Sequence, residues 1–169
     1  TNINIISSTT MKYVTLTQSS TQALAFDTIR LTDGSLTVTA GGDVTLNDVR
    51  LLGNKDTSDV IVTAAGSIVV SYVSAGIYAA TAGEVPLPDT IKYPNAQSGI
   101  SSHGDITLTA TNGAIRSEVG AGALQLVADE LTLDGAIGIV LDVAVNKLKD
   151  VTTNAGDITI SDSVGDGES

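Results

Sequence analysis

The sequence of 169 residues has a net charge of −11, from 8 basic and 19 acidic residues, and it contains no cysteine. This charge argues against nucleic-acid binding and against adsorption to anionic membranes, since both need a field of Lys and Arg. The lack of cysteine excludes disulfides and thiolate metal sites, and no apolar run approaches the roughly 20 residues of a membrane span. Aromatic residues make up only 3%, so the core must consist of Val, Ile, Leu and Ala.

One short phrase recurs along the chain: a glycine, then an acid or a serine, then a strand in which apolar residues alternate with Thr. Copies begin at Gly34, Gly42, Gly104 and Gly156, and a looser copy begins at Gly66. Equivalent strands recur every 22 to 27 residues, and each interval holds about three short strands. Alternation with a period of two indicates that each strand has one buried and one solvated face.

These repeats predict an all-β fold, a parallel β-helix (β-solenoid) of about six rungs, each with 22–27 residues and three short strands. Residues 1–169 then form a single domain. A helix through residues 121–131 is an alternative, but Gly120 and Gly122 favour a strand there. The segment from Asp157 to Ile160 is assigned to the same series of strands as those that begin at Asp105 and Glu130. The residues predicted to point inward are Leu36, Val38, Ala40, Val44, Leu46, Val60, Val62, Ala64, Ile68 and Val70, with Thr37, Thr39 and Thr45 pointing outward.

The regular repeat is interrupted between Gly76 and Gly99, in a stretch that contains all 3 prolines of the chain. Proline cannot donate to a strand ladder, so residues 77–98 are predicted to leave the coil as a loop or an irregular hairpin. Tyr78, Lys92 and Tyr93 lie in this excursion and could contact a partner, because Tyr is enriched at interfaces. The alternative is that the tyrosines only hold the excursion against the coil.

The glycine turns present three aspartates, Asp43, Asp105 and Asp157, whose oxygens could bind calcium. Calcium needs 6–8 oxygen ligands, and the dense glycine–aspartate repeat of calcium-binding β-rolls is missing. We therefore predict that each aspartate accepts hydrogen bonds from backbone N–H groups of its turn, with no metal and no cofactor. His103 is the sole histidine and is predicted to be a surface residue of a turn.

Catalysis is not predicted for this chain. A polysaccharide-cleaving site would gather several acids, often with basic residues, on one face. Here the acids lie mostly at turns, aromatic platforms are scarce, and Arg30, Arg50 and Arg116 are far apart in the sequence. A carbohydrate-binding or polysaccharide-cleaving β-helix is kept as the alternative function.

The ends of such a coil expose unpaired strand edges, which act as templates for association unless they are capped. The sequence shows no amphipathic helix near either terminus, and the strand predicted to start at Asp157 matches the repeat pattern fully. The chain is therefore interpreted either as part of a longer array or as a subunit whose ends meet copies of itself. A head-to-tail contact that does not close generates a fibre.

Three segments carry a family resemblance: Gly104 to Ile115, Asp134 to Leu148 and Thr152 to Ile160. They resemble the repeats of filamentous-haemagglutinin-like bacterial exoproteins, which are two-partner-secretion adhesins. The match covers roughly residues 100–162 well and 30–75 loosely. The resemblance implies a right-handed parallel β-helix, secretion to the cell surface, and an adhesive or scaffolding role with a glycan or protein ligand. It implies no catalytic residues.

Overall fold

The computed structural model describes residues 2–6, 13–32, 34–52, 58–79, 100–102, 104–118 and 125–162. The secondary structure of these residues consists of fifteen β-strands, which are hydrogen-bonded into one sheet. In chain order the strands are β1 (Asn2–Ile6), β2 (Tyr13–Gln18), β3 (Leu24–Thr32), β4 (Ser35–Ala40), β5 (Val44–Leu46), β6 (Val49–Leu52), β7 (Val60–Ala64), β8 (Ile68–Val70), β9 (Val73–Ala79), β10 (Ile100–Ser102), β11 (Ile106–Ala110), β12 (Ile115–Ser117), β13 (Leu126–Gly135), β14 (Ile139–Thr153) and β15 (Ile158–Asp162). Over these ranges we find no helix of the length and apolarity that a bilayer crossing needs.

The strands wind into a coil with three faces, and parallel pairing joins each turn to the turns before and after it. The first face stacks β2, β4, β7, β11, the second half of β13 and the end of β14. The second face stacks the start of β3, β5, β8, β12, the start of β14 and β15. The third face stacks the end of β3, β6, β9, the start of β13 and the middle of β14. The predicted parallel β-helix is confirmed.

The core is a narrow apolar column inside this coil. Every residue predicted to point inward is buried, whereas Thr37, Thr39 and Thr45 are partly or fully exposed. In-register parallel pairing places apolar side chains directly above one another, as in the stack of Val60, Ile106 and Leu131 on the first face. Each fully buried aliphatic side chain contributes about 1.5–3 kcal/mol, so this stacking stabilises the coil without large aromatic residues.

The long interval between Asp59 and Asp105 is a single rung that carries extra residues. β11 pairs directly with β7, and Ile106 lies next to Val60 although 46 residues separate them. The end of β9 pairs in the antiparallel sense with β10, in which Ser102 lies opposite Ile77. The two strands therefore bracket residues 80–99, which lie outside the described residues. The predicted excursion begins at residue 77, but residues 77–79 still belong to β9.

The last rungs differ from the prediction in length and in register. Leu148 pairs with Leu131 only 17 residues earlier, because β13 and β14 turn the corners without a polar loop. Ile158 pairs with Ile139 on the second face, so the assignment of this segment to the Asp105 and Glu130 series was wrong. The helix proposed as an alternative for residues 121–131 is also wrong from residue 126 onward, where β13 begins; residues 121–124 lie outside the described residues.

Candidate functional site

The residues predicted to contact a partner remain a prediction. The backbone of Tyr78 lies in β9, opposite Ser101 of β10, and its side chain lies outside the described residues. Lys92, Tyr93 and His103 also lie outside them.

At the corners of the coil, aspartate side chains form hydrogen bonds that join successive rungs. Before the first face, the backbone N–H of Asp105 donates to Asp59 Oδ1 at 3.0 Å, and the N–H of Glu130 donates to Asp105 Oδ1 at 3.1 Å. Before the second face, the N–H of Ser67 donates to Asp43 Oδ1 at 2.8 Å. Asp43 and Asp105 accept from backbone N–H groups, as predicted. The prediction that the donor lies in the same turn is wrong, because each donor belongs to the next rung.

The three turn aspartates do not assemble into a calcium site. Asp43 and Asp157 lie at the corner before the second face, separated by the rungs that contain β8, β12 and the start of β14. Asp105 lies at a different corner, before the first face. Among the described residues, no group of three or more acids or histidines is close enough to hold a metal ion.

Asp105 is the middle residue of the series of hydrogen bonds that links Asp59, Asp105 and Glu130 at this corner. Its surroundings disfavour the negative charge of its carboxylate. Burial raises the pKa of Asp105, the Glu130 N–H opposes that shift, and the charges of Asp59, Glu130 and Asp129 add to it. Because the folded state holds this proton more tightly than the unfolded state, the ionised carboxylate weakens the fold at neutral pH. This penalty disappears as the pH falls through the raised pKa.

We therefore expect Asp105→Asn to be at least as stable as the parent at pH 7, because an amide oxygen can still accept from the Glu130 N–H. Asp105→Ala should instead lose about 1 kcal/mol, since that N–H loses its acceptor. Urea unfolding of the three proteins at pH 7 measures both differences. Equal losses in the two variants would show that the carboxylate charge itself stabilises the corner.

Beside this ladder, Glu130 binds two lysines of the following rung. Lys147 Nζ lies 2.5 Å from Glu130 Oε1, and Lys149 Nζ lies 2.8 Å from Glu130 Oε2. These hydrogen bonds lower the pKa of Glu130 to about 2 and raise the pKa of Lys149. The contribution of this ion-pair group to stability is therefore complete between the ordinary pKa of a glutamate and the ordinary pKa of a lysine. It is lost as the pH falls toward 2 and also as the pH rises through the raised pKa of Lys149.

A second charged cluster lies at the corner between the second and third faces. Asp48 bridges two arginines of successive rungs, with Arg30 Nη2 at 2.5 Å and Arg50 Nε at 2.6 Å. The Arg50 guanidinium lies 4.9 Å above the centre of the Tyr72 ring, and burial raises the pKa of Tyr72. Sequence reasoning treated these arginines as distant and missed the cluster. Their spacing of 20 residues, about one rung, was the available signal.

The C-terminal edge of the coil exposes residues that belong to the core columns. Leu148 continues the column of Leu131 yet is 47% exposed, and Ile158 continues the column of Ile139 yet is 44% exposed. Within the described chain, β15 and the end of β14 are paired on one side only. This edge therefore offers both unpaired backbone groups and apolar surface.

In comparisons with known proteins, no family model, curated protein or solved structure matched the chain. The class of protein defined by the geometry is a parallel β-helix with polar ladders at its corners and an exposed core column at one edge.

Proposed function

We propose that this chain is a non-enzymatic structural β-helix that acts outside the cell. In this proposal it builds a rod, either as a segment of a surface adhesin or as a subunit that adds end to end into a filament. The repeat resemblance and the Thr-rich outer faces support an adhesive or scaffolding role. The observation that carries the proposal is the C-terminal edge, where Leu148 and Ile158 occupy core positions and no further rung covers them among the described residues.

A further rung on this edge would bury both side chains and pair the open backbone groups of β14 and β15. Following residues of a longer chain or the first rung of a second copy could supply it. The geometry of pairing is the same in both cases, because successive rungs of the coil are parallel. A contact between the C-terminal edge of one copy and the N-terminal edge of the next is head to tail, so it repeats without closing.

We expect the chain to form concentration-dependent linear assemblies, and light scattering after size exclusion with negative-stain microscopy measures them. The double variant Leu148→Lys with Ile158→Lys should remain monomeric, since it places two charges on the edge. The matched control is Val140→Lys, because Val140 is 50% exposed but lies on the outside of β14. A parent chain that stays monomeric when concentrated would contradict end-to-end addition.

A further inference from the structure

The second face of the coil holds one strand more than either of the other two faces. Among the described residues it stacks seven parallel strands: the start of β1, the start of β3, β5, β8, β12, the start of β14 and β15. The first face stacks six, from β2 to the end of β14. The third face also stacks six, from the end of β1 to the middle of β14. The stack of the second face therefore has β1 at one edge of the coil and β15 at the other.

This surplus strand decides how a second copy can continue the coil. Val14 of β2 and Leu148 of β14 lie at the two ends of one core column of the first face, so a second copy continues that column when its β2 pairs with the end of β14. The chain passes from β14 to β15 and from β1 to β2. The start of β1 in the second copy then reaches the level of the second face that β15 already fills. Two strands cannot occupy one position, so one of them has to leave the stack.

The start of β1 is held less firmly than β15. On the second face it supplies only Asn2 and Ile3, and its register to β3 shifts directly after Ile3. Asn2 is exposed, and its side chain donates to Asp27 Oδ2 at 3.0 Å in a surface hydrogen bond. β15 pairs all of its 5 residues, Ile158 to Asp162, with β14 in an unbroken register. Short edge segments with few contacts open at the lowest free-energy cost, so the start of β1 is the part that leaves.

β15 carries the apolar side chains that fit the vacated position on β3. Ile158 and Leu24 lie at the two ends of one core column of the second face, which runs through β5, β8, β12 and β14. With β15 on β3 of the next copy, Ile158 would lie against Leu24, and its exposed surface would be buried. Ile160 would lie against Phe26, which pairs with Ile3 in the single chain.

We propose that residues 158–160 of one copy replace Asn2 and Ile3 of the next copy on β3. The partner is a second copy of this chain, and the inference rests on the proposed end-to-end assembly, whose contact it specifies. Each copy then contributes six strands to every face, so the coil continues without a fault from one copy to the next. Residues from Ser161 onward turn outward at the corner, because the end of β1 keeps its place on the third face. In the single chain, the start of β1 acts as a temporary cover of β3.

The chain contains no cysteine, so pairs of introduced cysteines report the contact between copies directly. Ala25 and Thr159 end one outward column of the second face. Within one copy they are five strand spacings of about 4.8 Å apart, too far for a disulfide, which needs Cα atoms within roughly 7 Å. In the proposed contact they are neighbours, so Ala25→Cys with Thr159→Cys should give a ladder of disulfide-linked oligomers on oxidation. The matched control is Asn2→Cys with Thr159→Cys, which would form the ladder instead if β15 stacked on an undisplaced β1, because Asn2 lies beside Ala25.

A second measurement is the rate of assembly, followed by light scattering. Ile3→Ser loosens the start of β1 without changing β15, so it should speed assembly severalfold. If β15 stacked on an undisplaced β1, the same substitution would slow assembly, because Ile160 would lose an apolar neighbour. Strand replacement is overturned, and end-to-end addition stands, if linear assemblies form but the Ala25–Thr159 pair gives no ladder, or if Ile3→Ser slows their formation. A chain that stays monomeric when concentrated overturns both proposals.

Discussion

Replacing Gly113 by alanine is expected to lower the free energy of unfolding by about 3 kcal/mol. A Cβ at this position would lie 2.4 Å from the backbone nitrogen of Ser67 and 2.5 Å from the backbone carbon of Gly66. Both atoms belong to the preceding rung and cannot swing away as a side-chain end could. The corner would have to open, and the hydrogen bond from the Ile68 N–H to the Ala114 carbonyl, now 2.9 Å, would lengthen.

The control for this prediction is Asn112→Ala, at the neighbouring residue. Asn112 is exposed, and its side chain makes two surface hydrogen bonds, to the Ala65 carbonyl at 3.0 Å and to Thr111 Oγ1 at 3.5 Å. This substitution should cost about 0.5 kcal/mol or less. Chemical unfolding monitored by circular dichroism compares the two variants with the parent. If Gly113→Ala were no less stable than Asn112→Ala, the rungs would not be as close at this corner as the structure places them.

The fold could be predicted from the sequence because the core of a β-helix is a repeated local pattern. An apolar–Thr–apolar strand has the same inward set wherever it occurs, so Leu36 and Val38 were identified without knowing their neighbours. The coil then follows from the spacing alone. Nothing in that argument requires the register between particular rungs to be known.

The polar contacts could not be predicted because they depend on which residues of successive rungs lie next to each other. Rungs in this chain differ in length, from 17 residues between Glu130 and Lys147 to 46 between Asp59 and Asp105. A change of a few residues moves a side chain to another corner, which is why the strand after Asp157 was placed on the wrong face. For the same reason Arg30 and Arg50, judged distant in the sequence, meet at Asp48.

Replacing Leu131 by alanine is expected to cost about 2–5 kcal/mol, whereas the same substitution at Leu148 should cost about 1 kcal/mol or less in the monomer. The two leucines are neighbours in one column of the first face. Leu131 is 0% exposed, and Leu148 is 47% exposed. The difference therefore measures how much a rung above a core residue contributes, with side-chain chemistry and strand position held constant.

Comparing the Leu131→Ala and Leu148→Ala variants also distinguishes an isolated coil from one to which a second copy has added at the C-terminal edge. If a second copy adds its first rung to the edge, Leu148 acquires a cover like that of Leu131. The cost of Leu148→Ala should then rise with protein concentration toward the cost of Leu131→Ala, because association stabilises only the folded chain. Unfolding curves measured over a hundredfold range of concentration test this directly. A cost of Leu148→Ala that stays constant while the parent assembles would place the contact between copies away from this edge.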